Sequence, residues 1–190
     1  QWDITETNNF RFGFDSQFHT LEYYERYLTT SAVPFADEWE ANPTNLSAYV
    51  QDKVEFEGMI VNAGLRLDYL NTDGETYINP LEPDEGTRSS EAKIQLSPRL
   101  GISHPISDQS VLYFNYGHFY QPPAYKYMFE HNLMEINRGN TLVGDPDMDM
   151  EKTVAYEVGV DRSFADIYKL SFIAFAKKVE NLVGTRLVRN

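Results

Sequence analysis

Residues 46–69, LSAYVQDKVEFEGMIVNAGLRLDY, carry two alternating runs joined by a tight turn, and the architecture follows from them. From Met59 the odd positions read Met59, Val61, Ala63, Leu65, Leu67 and Tyr69, with Asn62, Gly64, Arg66 and Asp68 between them. This is period 2, the mark of a strand with two chemically different faces. In the preceding run the even positions Leu46, Ala48, Val50, Val54 and Phe56 are apolar, against Ser47, Tyr49, Gln51, Lys53 and Glu55, and Asp52 is the one breach. A tight connection at Glu57-Gly58 joins the two runs.

Working outward, the same alternation recurs. Phe10, Phe12 and Phe14 alternate with Arg11, Gly13 and Asp15. Ile94, Leu96, Leu100, Ile102 and Ile106 face away from Gln95, Ser97, Arg99 and Ser103, and Leu112, Phe114, Tyr116 and Tyr120 from Tyr113, Asn115 and Gly117. Val154, Tyr156, Val158 and Val160 alternate with Thr153, Glu157, Gly159 and Asp161, and a weaker segment runs over 168–179. This amounts to about seven strands and no convincing amphipathic helix. Tight connections near Glu57-Gly58, at 107–109 and at 163–166 take turns with long ones at 19–44, 73–92 and 121–149. Such alternation is expected of an up-and-down transmembrane barrel wall, with short turns on one side and long loops on the other. A soluble sandwich does not require it, and unstructured loops of this length are uncommon in compact domains.

Composition agrees and excludes other classes. At 190 residues the chain has length for one domain or part of a larger one. Its 13 Tyr, 12 Phe and 2 Trp coexist with a mean hydropathy of −0.49, which favours half-buried strands over a solid soluble core. A net charge of −13 excludes nucleic acid as a partner, because phosphate binding needs a basic stripe. The three long connections carry −4, −5 and −3 of that charge, so the strand part is almost neutral. An acidic rim on a neutral wall suits strands in lipid with loops in water, where divalent cations can bridge to anionic lipid heads, although acidic proteins in general concentrate charge in loops. With no Cys there is no disulfide framework and no thiolate site. No stretch reads as a membrane helix or a signal peptide, so the chain reads as a mature piece or an excerpt.

Three segments carry a family resemblance. Residues 46–69 resemble the "Y-x-Q-D … G-x-R-x-D" hairpin of the TonB-dependent outer-membrane receptors. LSPRLGISHPISDQSVLYFNYGHFYQPP, residues 96–123, is similar to the family's Pro-Arg-x-Gly strand and the following strand that ends in Tyr-Gly and Gln-x-Pro. GDPDMDMEKTVAYEVGVD, residues 144–161, is similar to the "G-N-P-x-L-x-P-E-x-x-x-x-Y-E-x-G" motif, with Asp145 and Met150 standing where the family has Asn and Pro. The resemblance implies an all-β fold, an antiparallel up-and-down transmembrane β-barrel arc of about seven strands from a larger barrel. Residues 1–190 would then be part of the barrel domain, a middle-to-late arc, with the plug domain and the closing strands outside them. It also implies a bacterial cell outer membrane of the Gram-negative type, with outer-membrane lipid, the plug, TonB and a small nutrient ligand as partners. Active uptake of a siderophore, vitamin or oligosaccharide is the implied function. The alternative is a soluble β-sandwich that binds glycans through surface aromatics.

Chemistry-bearing motifs are few. Asp145, Asp147 and Asp149 have the spacing of a calcium loop, but Met150 stands where such a loop needs Gly and Tyr156 where it needs Glu, which excludes an EF-hand and leaves at most a loose external site. His19, His104, His118 and His131 show no paired spacing, and Ser103-His104 lacks a nucleophile elbow, so no catalytic, metal or cofactor residue is expected. The loop aromatics are the better candidates. Tyr23, Tyr24, Tyr27, Phe35 and Trp39 lie in the first long loop, and Tyr125, Tyr127 and Phe129 in the third. They can stack on a sugar ring or a metal chelate, or pack loop on loop as an outer aromatic girdle. Trp39, Tyr125, Tyr127 and Phe129 are the candidate ligand contacts.

Overall fold

The computed structural model describes residues 2–5, 7–27, 35–79, 82–130, 142–165 and 167–186. Numbered in chain order, the strands β1 (Trp2–Thr5), β2 (Asn8–Phe18), β5 (Thr44–Phe56), β6 (Met59–Asn71), β9 (Lys93–Ser107), β10 (Ser110–Gln121), β11 (Glu151–Phe164) and β12 (Tyr168–Glu180) form one antiparallel sheet in that order. Seven are long, between 11 and 15 residues, which meets or exceeds the roughly 9–11 residues a tilted strand needs to cross a bilayer. The short β1 adds an eighth. β1 and β12 are the outermost strands and do not pair with each other, so the sheet is an open arc.

The two-faced pattern survives in the register. Val54 lies opposite Val61, Val61 opposite Ile102, Ile102 opposite Phe114, Phe114 opposite Val158 and Val158 opposite Ala174, one apolar row through six strands. One residue further along, Asn9, Lys53, Asn62, Gly101, Asn115, Glu157 and Phe175 form a row on the other face. That second face, which also carries Arg11, Gln51, Arg66, Arg99 and Lys177, lines a concave groove of about 1060 Å³. The apolar face is left open: Phe12, Phe14, Leu65, Leu96 and Phe172 are all exposed, and among the described residues no second sheet covers them. Asp52 sits on this apolar face between Phe10 and Ala63, four residues before Phe56 ends the strand, and its Oδ1 has no hydrogen-bond partner among the described residues.

Local chemistry fixes the hairpins and the wall. Glu57 and Gly58 both have positive φ, 47° and 80°, as a two-residue turn matched to the strand twist requires. On the concave face a Cβ at Gly13 would run into the Tyr49 ring, and one at Gly159 into the Tyr113 ring. Each glycine faces its aromatic directly across the ladder, so the ring covers the bare backbone.

The long connections hold more structure than a sequence reading without helices or extra strands expects. Residues 19–43 contain the hairpin β3 (Leu21–Tyr27) and β4 (Phe35–Ala41), and residues 72–92 contain β7 (Glu75–Tyr77), a 3₁₀ turn at Pro83–Glu85 and β8 (Thr87–Ser89). After Pro122-Pro123 the third connection opens with a one-turn helix, α1 (Tyr125–Phe129). These short elements are held by contacts between loops, which local periodicity does not encode.

Candidate functional site

A single-layer sheet has no core of its own, and the buried apolar side chains collect where the long connections meet. Ala41 of β4, Leu70 near the end of β6, Met128 and Phe129 of α1 and Met150 before β11 form one cluster, with Leu70 and Met128 fully buried. Trp39, Tyr120, Tyr125 and Met148 pack around it. β3 and β4 present Tyr23 directly across from Trp39, and the two rings stack at 5.0 Å and 15°. Trp39 then meets Phe129 at 5.3 Å, and Phe129 meets Tyr125 at 6.5 Å. Three of the four candidate aromatics therefore form one continuous chain of tilted ring contacts joining the first and third loops. Phe129 is buried at 4 % exposure, Trp39 and Tyr125 are half-buried, and Tyr127, at 47 %, points to solvent. The side chains of Tyr27 and Phe35, and all of His131, lie outside the described residues.

Polar contacts tie the stack to the wall. Asn45 at the head of β5 donates through Nδ2 to the Tyr125 hydroxyl at 2.8 Å, and its Nδ2 also lies 3.3 Å from His19 Nε2. The His19 ring itself lies 5.7 Å from that of Tyr125. Two buried polar atoms here, Trp39 Nε1 and Asn45 Oδ1, have no hydrogen-bond partner among the described residues. On the outer side Lys126 reaches Glu25 at 3.6 Å and Glu130 at 3.8 Å, and sits 5.6 Å from the centre of the Tyr23 ring. Contact with the Tyr23 hydroxyl, reinforced by Glu130 and Glu25, raises the Lys126 pKa above its ordinary value. A Tyr125→Phe substitution removes the Asn45 bond alone. It is expected to cost about 1 kcal/mol, seen as faster amide exchange in α1 with the sheet unaffected.

The second and third loops are joined by a different device. Asp147 accepts from Arg88 Nη2 at 2.6 Å, Lys93 Nζ at 2.9 Å and the Glu91 backbone N–H at 3.0 Å. Thr72 Oγ1 donates to the Pro146 carbonyl at 2.9 Å and lies 2.7 Å from Ser90 Oγ. Burial opposes the Asp147 charge, but the Glu91 N–H and the Lys93 and Arg88 cations outweigh it and hold the carboxyl at about 2. Asp147 thus turns towards two cations, while Asp145 accepts the Asp147 backbone N–H at 2.9 Å. The described residues contain no group of three or more His, Cys, Asp or Glu placed to hold a metal ion. Sequence reasoning noticed Asp147 as a carboxylate and missed its partners, because Arg88 is 59 residues away along the chain.

Comparison with known proteins adds the family. A search among curated proteins found no match. Among solved structures, the copper transporter OprC superposes with a TM-score of 0.64 at 14% identity, over 96% of this chain and 29% of that one. The hemophore receptor HasR of Serratia marcescens, solved as a double mutant in complex with its hemophore HasA and heme, gives 0.60 at 17% identity, over 92% and 32%. The chain therefore spans about a third of the length of these proteins, and at such identities the likeness is one of fold. The model of the TonB-dependent receptor-like β-barrel matches residues 1–190 without a break. A two-faced, open antiparallel arc with long loops at one end and tight turns at the other, matched along its whole length, belongs to the TonB-dependent receptor β-barrel family.

Proposed function

We propose that this chain is wall and outer-loop structure of an outer-membrane receptor, in the cell outer membrane of a Gram-negative-type bacterium, that takes up a small nutrient ligand with energy delivered through TonB. The observation that carries the reading is the sheet's division into an open apolar face and a polar concave face. An apolar face of this extent is costly in water and is satisfied by outer-membrane lipid, and the polar face then lines the lumen. The plug domain and the closing strands belong to the rest of such a receptor, beyond these residues. A β-sandwich that binds glycans is not favoured, because a sandwich covers its apolar face with a second sheet. Transport rather than catalysis is the role these residues fit.

The ligand, of siderophore, vitamin or oligosaccharide class, is captured at the loop cluster. Tyr127 offers an open ring, Trp39 and Tyr125 are half-buried, and Trp39 Nε1 and Asn45 Oδ1 are buried without a hydrogen-bond partner among the described residues. Phe129 supports them from below. Shortening residues 125–143 in the full-length receptor should weaken binding while the barrel still inserts, since loops contribute little to the strand ladder. The measurement is titration with a ferric siderophore, a vitamin and an oligosaccharide as probes, beside heat-modifiability as the sign of a folded barrel. Binding that persists unchanged in a folded, loop-shortened receptor would remove this loop from the site.

A further inference from the structure

The apolar face is not wholly uncharged. On the seven long strands it carries Asp52 of β5, Lys152 and Arg162 of β11, and Lys178 and Glu180 of β12. Three of these compensate one another where the long loops begin, with Glu180 lying 2.6 Å from Lys178 and 3.5 Å from Lys152. The other two, of opposite sign, stand in the half of the strands nearer the tight turns. Asp52 is four residues before Phe56 ends β5, and Arg162 is two residues before Phe164 ends β11. Among the described residues neither makes a hydrogen bond or an ion pair.

The two do not meet within one chain. β6, β9 and β10 lie between β5 and β11, and four strand spacings are roughly 19 Å. Asp52 does not reach the interface alone either. It stands roughly 13 Å along the strand from its end, and a carboxylate on one methylene lacks the stem with which long cationic side chains extend to the headgroups. Phe10 and Ala63 face it across the ladder and offer no side-chain donor. A charge held against hydrocarbon needs a partner. Ala63 is short and Asp52 is half-buried, so a long side chain from outside has access to it. Arg162 has the required properties: it is exposed, unpaired, and roughly 7 Å nearer the turns along its strand, a distance an arginine side chain spans.

We propose that the apolar face docks a second copy of this chain, with Arg162 of one copy paired to Asp52 of the next. Each copy then has a donor side at β11 and an acceptor side at β5, so the contact is head-to-tail. In a barrel of roughly 22 strands, four strand steps turn the outward direction by about 65°, close to the roughly 60° at which such contacts close into a ring of three. The inference rests on the lipid placement of this face, which urea unfolding of Leu65→Arg beside Asn62→Arg tests on its own.

The experiment is oxidative cross-linking of the full-length receptor in outer membranes. Differently tagged receptors carrying Asp52→Cys and Arg162→Cys singly, expressed together, should form a disulfide-linked pair of unlike tags several-fold above either variant alone. A receptor carrying both substitutions should give products of up to three copies and none larger. Arg162→Lys keeps both charges, so it tests the contact where the neutral cysteines loosen it. Zero-length carbodiimide should there join position 162 to Asp52, a peptide that two copies alone can form given the distance within one, and a further Asp52→Asn should abolish it. Equal linking by either cysteine variant alone, a ladder running past three copies, or no peptide joining positions 162 and 52 in a heat-modifiable receptor overturns the proposal. So does coupling of Asp52 to a different protein only.

Discussion

Leu65→Arg in the full-length receptor should cost about 2–4 kcal/mol of folding stability, the cost of a cation at the bilayer midplane on the lipid face of a barrel. Leu65 is the central residue of the thirteen in β6, so it lies as far from both ends of the strand as the chain allows. Its ladder neighbours are Val50 and Pro98, and Val50 in turn lies opposite Phe12, so no charge faces it directly across the ladder, and Asp52 stands one diagonal step away on the same face. Asn62→Arg, three residues away on the concave face between Lys53 and Gly101, should cost much less, because water or a polar occupant solvates it there. Reversible urea unfolding of both variants in vesicles of one lipid composition checks the difference. Equal costs would show that the two faces are not lipid and lumen.

Asp147→Asn should release the second loop from the third, at a cost on the order of 2 kcal/mol. The figure follows from the depression of the Asp147 carboxyl from 3.8 to about 2, at roughly 1.4 kcal/mol per unit, and the side chain is only 12% exposed, so solvent screens it little. The substitution leaves Lys93, itself 18% exposed, with only the 3.8 Å contact to the exposed Asp149. The pH dependence has a definite sign. A carboxyl whose folded pKa is depressed contributes its full stability above its unfolded value near 4, and loses it as pH falls towards 2. Amide protection factors over β7 and β8, with the intrinsic pH dependence of exchange divided out, should therefore fall between pH 4 and pH 2 in the wild type, and be low throughout in Asp147→Asn. A wild-type hairpin indifferent to that interval would show that the contact holds nothing.

Such effects separate what local sequence encodes from what it does not. The wall was legible because a strand's two faces repeat every second residue, so Val61, Leu65, Phe114 and Val158 declare one environment and Asn62, Arg66, Asn115 and Glu157 another without reference to any neighbour. The turns were legible for the same local reason, since Glu57-Gly58 interrupts two alternating runs. Together with the family motifs, this was enough for the strand order, because in a meander each strand pairs with the next. The loop elements were not legible. β3 and β4 carry Tyr and Glu in mixed order, and α1 is too short to nucleate alone, so their structure depends on Trp39, Phe129, Leu70 and Met150 meeting from distant parts of the chain.

A two-faced antiparallel barrel wall with acidic loops follows from the residue order alone, because period-2 patterning and charge placement are properties of neighbouring residues. Long-range packing brings Trp39, Tyr125 and Phe129 into one chain of ring contacts while Tyr127 stays open, and sets Asp147 against Arg88 and Lys93. It alone also placed Arg11, Arg99 and Lys177 on one row. The reason is register: which residue faces which across a ladder is fixed by turn geometry and strand alignment summed over the whole sheet, and a linear pattern carries the face of a residue but not its partner.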